Sequence, residues 1–214
     1  MSFYTTIQDV LTRTELKILK RLTYNSPNNN WYGRYTFYRE QFIFENAEIS
    51  PTNKPRWLEP EYVINKLART FLDQLHICSP DEVPNRVHME IYYDRSVNGF
   101  LKDDTSENDI FWHQDTIKIP DREDETPQYT MVLMMSRNEN DWEGGDILIQ
   151  AGGHYDDNFD WVLSDQPQYQ IQHRYNAAVI FKNDNSAHMV TKVLSKKAHK
   201  DAIRDVIIMT CYYD

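Results

Sequence analysis

The chain has 214 residues, 40% of them hydrophobic and 13% aromatic, and a formal charge of −10. That length and apolar content suit one folded domain with a substantial core and exclude a disordered chain. The acidic balance argues against nucleic acid as a partner, because non-specific binding there rests on neutralising phosphates. No apolar run approaches the roughly 18 residues that span a bilayer, so no membrane is expected. The start, MSFYTTIQDVLTRTELK, lacks the basic beginning and apolar centre of a secretory signal. Two cysteines, Cys78 and Cys211, lie far apart in sequence. They suggest no disulfide framework and point to a reducing, intracellular setting, the cytoplasm.

In chain order, residues 12–24 read as a helix: Thr12 and Glu15 have capping-box spacing, and Leu16, Ile18 and Leu19 supply an apolar side. NSPNNN at 25–30 is a loop of turn formers. WYGRYTFYREQFIF, residues 31–44, is dense in aromatics and fits one or two strands. SPTNKPRWLEP at 50–60 is a proline-punctuated loop with the makings of a lid. EYVINKLARTFLDQL then places Val63, Leu67, Phe71 and Leu75 on one helical stripe. From residue 86 the pattern changes to short β-rich segments: RVHMEIYY, DIFWHQDTIKI, YTMVLMMS, DILIQ, AAVIFK, AHMVTKVL and RDVIIMTCYY. Strands of this kind, separated by turn formers rather than helices, indicate an antiparallel sandwich or barrel. The expectation is an α+β chain: helix-rich, aromatic support over 1–85 and a jelly-roll core over 86–214. No stretch is linker-like, so 1–214 reads as a single domain.

In IFWHQDTIKIP, residues 110–120, His113 and Asp115 are two positions apart. On an extended chain they share a face while Gln114 points away. Two histidines and one carboxylate form the ligand set of non-heme Fe(II) oxygenases. Alone, the pair fits a solvated strand face equally well. His188 offers the second histidine: it follows AAVIFK and the polar turn NDNSA, and opens HMVTKVL. Arg204 then enters the last β-rich segment, IRDVIIMTCYY.

This order, HxD, a distant His and an Arg entering the final strand, resembles the 2-oxoglutarate and Fe(II)-dependent dioxygenases. WEGGDILIQ (142–150) is similar to the Glu-Gly-Gly turn and strand of that superfamily's prolyl-hydroxylase-like branch. AVIFKNDNSAHMVTKV is similar to the same branch's segment around its distal histidine. The likeness covers roughly residues 86–214. It implies a double-stranded β-helix core in which His113, Asp115 and His188 bind Fe(II) and form the catalytic centre. Arg204 would bind the distal carboxylate of 2-oxoglutarate, a task suited to the planar guanidinium fork. Tyr92 or Tyr93 would hydrogen-bond the cosubstrate, and strand alternation lets only one of them face the pocket. The implied reaction hydroxylates a C–H bond of a protein or peptide side chain, or of a small molecule, with succinate and CO2 as coproducts and ascorbate as a supporting reductant.

The sixteen positions from His188 to Arg204 exceed the gap usual in that branch, with SKKAHKD lengthening the hairpin. Lys197 fits the usual gap better but sits in a polar loop, and is the reserve candidate. An AlkB-like nucleic-acid demethylase is the alternative within the superfamily; its second arginine, six positions after the first, is here Thr210. A metal-binding jelly roll without catalysis is the alternative outside it. Tyr129 and Met131 are either pocket-lining or core residues. Gly144 and Gly145 suit a turn with positive φ. The acidic runs KDDTSEND (102–109) and DREDE (121–125) are solvated loops or a rim that attracts a basic substrate.

Overall fold

A computed structural model describes residues 3–31, 34–45, 60–78, 86–97, 110–116, 125–137, 142–183, 185–196 and 202–213. The N-terminal part holds β1 (Tyr4–Ile7), α1 (Arg13–Leu19) with a 3-10 turn at Lys20–Tyr24, β2 (Asn29–Trp31), β3 (Arg34–Glu45) and α2 (Pro60–Cys78). Strands follow: β4 (Arg86–Val97), β5 (Ile110–His113), β6 (Tyr129–Met134), β7 (Trp142–Glu143), β8 (Ile147–Ala151), β9 (His154–Tyr155) and β10 (Trp161–Val162). The chain finishes with β11 (Gln168–Ile171), β12 (Ala177–Lys182), β13 (Ser186–Val190), β14 (Leu194–Ser195) and β15 (Ile203–Tyr213).

A seven-stranded sheet in the order β1-β12-β6-β15-β4-β3-β2 faces a four-stranded sheet in the order β11-β8-β13-β5. The pairs within them are antiparallel. This is the double-stranded β-helix expected of an α+β chain with N-terminal helices in support. α1 forms as its capping box dictates: Glu15 N–H donates to Thr12 Oγ1 at 3.2 Å and Thr12 N–H to Glu15 Oε2 at 2.8 Å. Glu15 also accepts from Lys66 of α2 at 2.8 Å, tying the two helices together.

Strand parity divides the long sheet into two faces. Met89, Ile91, Tyr93, Met131, Leu133, Ile207 and Met209 face the helices and meet Leu16, Leu19, Val63, Leu67, Phe71 and Leu75. Val132, Met134, Val179, Phe181 and Val206 face the other way and meet Ile147, Ile149 and Ile171 of the short sheet. Tyr129 and Met131 therefore fill the helix-side core rather than line a pocket. Fully burying a large apolar side chain contributes roughly 1.5–3 kcal/mol, so both faces of the long sheet anchor the fold.

Asn29 and Asn30, read from sequence as the end of a loop, instead join Trp31 in β2, which pairs with β3 as a hairpin arm, Asn29 opposite Thr36. The helix expected over 12–24 tightens to a 3-10 turn after Leu19. Most of the 50–60 loop, the run 102–109 and residues 121–124 lie outside the described residues. No described helix is long and apolar enough to cross a membrane.

Candidate active site

β5 and β13 are neighbours in the short sheet, and His188 stands directly opposite His113, their rings 4.3 Å apart. β5 ends at His113, and Asp115 follows two residues later. Asp115 Oδ1 lies 3.8 Å from His113 Nε2 and 3.6 Å from His188 Nε2. One donor atom from each residue lies within 4.8 Å of the other two. Metal–donor bonds of about 2.1 Å bring such atoms to roughly 3 Å of one another, a short contraction from this spacing. Two imidazoles and a carboxylate on one side of the site fit Fe(II).

The triad is held from behind. Thr130 Oγ1 donates to Asp115 Oδ2 at 2.7 Å, leaving Oδ1 to face the histidines. Asn183 Nδ2 donates to Thr130 Oγ1 at 2.5 Å, which turns that hydroxyl proton towards Asp115. Between His113 and Asp115, Gln114 donates its N–H to Tyr155 Oη at 2.9 Å and its side-chain amide to Asn183 O at 3.2 Å. The Phe181 ring backs His188 at 4.9 Å. Burial pushes the His188 pKa down to about 3, which keeps the imidazole neutral and able to coordinate. Burial raises the Asp115 pKa, but His188, His113, Thr130 and Arg34 together outweigh it and hold the carboxyl below its ordinary value.

In front of the triad opens a cavity of about 560 Å³, lined by His113, Asp115, Tyr92, Glu90, Asp94 and Arg34 among others. Tyr92 shares the inner face of β4 with Glu90 and Asp94. Burial pushes its phenol well above the usual range, Asp115 and Glu90 adding to the effect, so the hydroxyl stays a donor. Tyr93 points the opposite way into the helix-side core, fully buried, with Phe37 edge-on at 6.2 Å. The sequence left these two tyrosines as alternatives, and the pleat puts Tyr92 at the cavity and takes Tyr93 away from it. A bulge at Phe37 of β3 shifts the register between Thr36 and Tyr38. Arg34 and Thr36 before the bulge, and Arg39 after it, consequently all reach the cavity. There Arg34 Nε donates to Asp94 Oδ2 at 2.7 Å and Arg39 Nε to Glu90 Oε1 at 2.6 Å.

Arg204 lies at the other end of β15's inner face, opposite Ser96 and 3% exposed. It does not line the cavity. Its Nε donates to Gly145 O at 3.1 Å. Burial lowers its pKa to about 10, helped by Arg34 and opposed by Asp94, Asp146 and Asp205, so it stays cationic near neutrality. Gly144 and Gly145 have φ of 77° and 72°, as the turn requires. Lys197 lies outside the described residues. Thr130, Glu90, Asp94, Arg34, Arg39 and Asn183 escaped the sequence reading. Parity with Tyr92 could have flagged Glu90 and Asp94, each two positions away.

The fold and donor set define a jelly-roll protein with a His-Asp-His triad spaced to hold a metal ion. The sequence profile of the 2OG-Fe(II) oxygenase superfamily matches residues 103–213, and the chain belongs to that superfamily. Fe(II) is thus the metal that the triad fits, and 2-oxoglutarate the cosubstrate. No curated protein matches the chain by sequence. Among solved structures, IDO from Bacillus thuringiensis is 14% identical with a TM-score of 0.59, over 99% of this chain and 93% of that one. The Fe(II)/α-ketoglutarate-dependent dioxygenase TqaL is 14% identical with a TM-score of 0.63, over 99% and 83%. A prolyl-4-hydroxylase from Pseudomonas putida is 11% identical with a TM-score of 0.51, over 99% and 93%. At these identities the likeness is one of fold.

Proposed function

We propose that the chain is an Fe(II)- and 2-oxoglutarate-dependent hydroxylase of the prolyl-hydroxylase-like branch. It acts on a C–H bond of a protein side chain or small molecule, with succinate and CO2 as coproducts. The observation that carries this reading is the convergence of His113 Nε2, Asp115 Oδ1 and His188 Nε2, the first two residues at the cavity wall. Bound iron and cosubstrate supply the oxidising chemistry. The chain's own residues hold and orient. His113, Asp115 and His188 coordinate the metal, and Thr130 fixes which Asp115 oxygen does so. Arg204, whose Nε is held by Gly145 O, would meet the distal carboxylate of 2-oxoglutarate with the terminal nitrogens of its guanidinium. Tyr92 donates its hydroxyl to the cosubstrate, and ascorbate serves as a supporting reductant.

The Glu-Gly-Gly turn that carries Gly145 favours the hydroxylase branch, and Thr210 at the place of a second arginine disfavours the demethylase branch. Succinate release from 2-oxoglutarate in air tests the reading. The Fe(II)-loaded chain should release succinate slowly without substrate, and His113→Ala should abolish the release. Equal release from both proteins would contradict it.

A further inference from the structure

Glu90 is 1% exposed, yet it stands at the cavity wall, in a cross-strand row with Thr210 and Thr130. Its Oε1 accepts from Arg39 Nε at 2.6 Å and from Gln41 Nε2 at 3.5 Å. Its Oε2 is buried with no hydrogen-bond partner among the described residues. A buried carboxylate with one unsatisfied oxygen is costly. An apolar side chain there would close the sheet at less cost, so the carboxylate calls for a role.

The counter-ion suggests which. Arg39 has a side chain 57% exposed, against 1% for Glu90. Its guanidinium also stands over the Tyr92 ring, 5.9 Å from the centroid. A surface-tethered cation therefore occupies a receptor built from a buried carboxylate and an aromatic face, the combination that binds organic cations. Arg34, the neighbouring cation at the wall, is closed onto Asp94 by contacts of 2.7 and 2.5 Å.

We propose that Arg39 is an internal stand-in for the substrate, and that Glu90 with the ring of Tyr92 binds the protonated amine or guanidinium of a basic amino acid, free or within a peptide. The inference rests on the oxygenase reading and names the substrate class for that same site. The Tyr92 ring face serves the cation, leaving its hydroxyl for the cosubstrate. Glu90 lies two strands from Thr130, about 10 Å at ordinary strand spacing, and Thr130 holds a metal ligand. The oxidised carbon is accordingly several bonds from the charged nitrogen. A net charge of −10 favours approach of a cation.

Calorimetric titration of the full chain tests this, metal-free and also with anaerobic Fe(II) and 2-oxoglutarate. The probes are L-lysine, L-arginine and acetyl-Gly-Lys-Gly-amide, with L-norleucine and L-citrulline as neutral isosteres. A cationic probe should bind about tenfold or more tighter than its isostere, and Glu90→Gln should remove that preference. Arg39→Ala should tighten binding severalfold, because it removes the internal competitor. The free amino acids and the peptide distinguish the two sources of the cation. Absence of binding by every cationic probe, equal binding of the isosteres, or an Arg39→Ala protein that binds more weakly would each overturn the proposal. Because Arg39 is exposed, that variant and the isosteres decide the matter even if Glu90→Gln fails to fold. A wild-type chain that prefers cations but forms no visible iron–2-oxoglutarate band would sink the oxygenase reading alone. A band without cation preference would sink this inference alone.

Discussion

Thr130 holds Asp115: its hydroxyl donates to Oδ2 at 2.7 Å, which leaves Oδ1 as the oxygen turned to His113 and His188. The hydroxyl itself is aimed by Asn183, whose amide donates to it at 2.5 Å. Thr130→Val keeps the shape but removes both bonds, so Asp115 is free to rotate. Loss of such support weakens metal binding by about 10- to 100-fold. Titration of the variant with Fe(II) or Mn(II) checks this, with the thermal transition recording any loss of stability separately. Unchanged metal affinity would show that Asp115 needs no such support.

The two glycines of the 143–145 turn differ in what they tolerate. A Cβ on Gly144 would lie 1.8 Å from the backbone oxygen of Lys192, whereas one on Gly145 meets the Trp142 ring at 2.7 Å and Arg204 Cδ at 3.0 Å. Both residues also sit at positive φ. Gly145→Ala should cost roughly 1–3 kcal/mol, and Gly144→Ala more, because backbone yields less than side chains. Gly145→Ala should also displace Arg204 and raise the dissociation constant for 2-oxoglutarate while that for metal stays put. Parallel changes in both constants would argue against a role for Arg204 at the cosubstrate.

His173 links stability to pH. It is 4% exposed, its Nε2 lies 2.8 Å from Ser136 O, and its ring meets Trp142 edge-on. Burial, helped by Arg204, pushes its pKa down to about 4, with Ser136 and Asp146 opposing. The folded chain therefore resists a proton that the unfolded chain accepts near pH 6.5. Below that pH the unfolded state binds more protons, so stability falls as pH drops from about 6.5 to about 4, by on the order of 3 kcal/mol. Denaturant unfolding across this window should show the fall, and His173→Gln should flatten it. An equally steep fall in the variant would assign the effect to other groups.

The His-Asp-His cluster was legible in the sequence because two of its members sit at i and i+2, a spacing that strand geometry converts directly into a shared face. Arg204 was legible only as the first polar residue of a β-rich run. That its side chain enters the sandwich follows from the parity of Val206 in the inner core. The Tyr92 and Tyr93 alternatives could not be separated from MEIYYD, since both parities read as plausible strands. The resolving fact is the helix-side packing of Met89, Ile91 and Tyr93. Arg39 and Glu90 meet across 51 positions of sequence, through a register set by the bulge at Phe37, which no local pattern announces. β9 and β10 were missed because two-residue strands closed by an Asx turn at Asp156 carry no periodicity.

We propose that His113, Asp115 and His188 grip one ferrous ion to which 2-oxoglutarate can attach. Anaerobic addition of Fe(II) and 2-oxoglutarate, followed by visible absorption, tests it most directly. The wild-type chain should develop a weak metal-to-ligand charge-transfer band, and His188→Ala should lose it while retaining a cooperative thermal transition. A band of undiminished intensity in the folded His188→Ala protein would contradict the assignment.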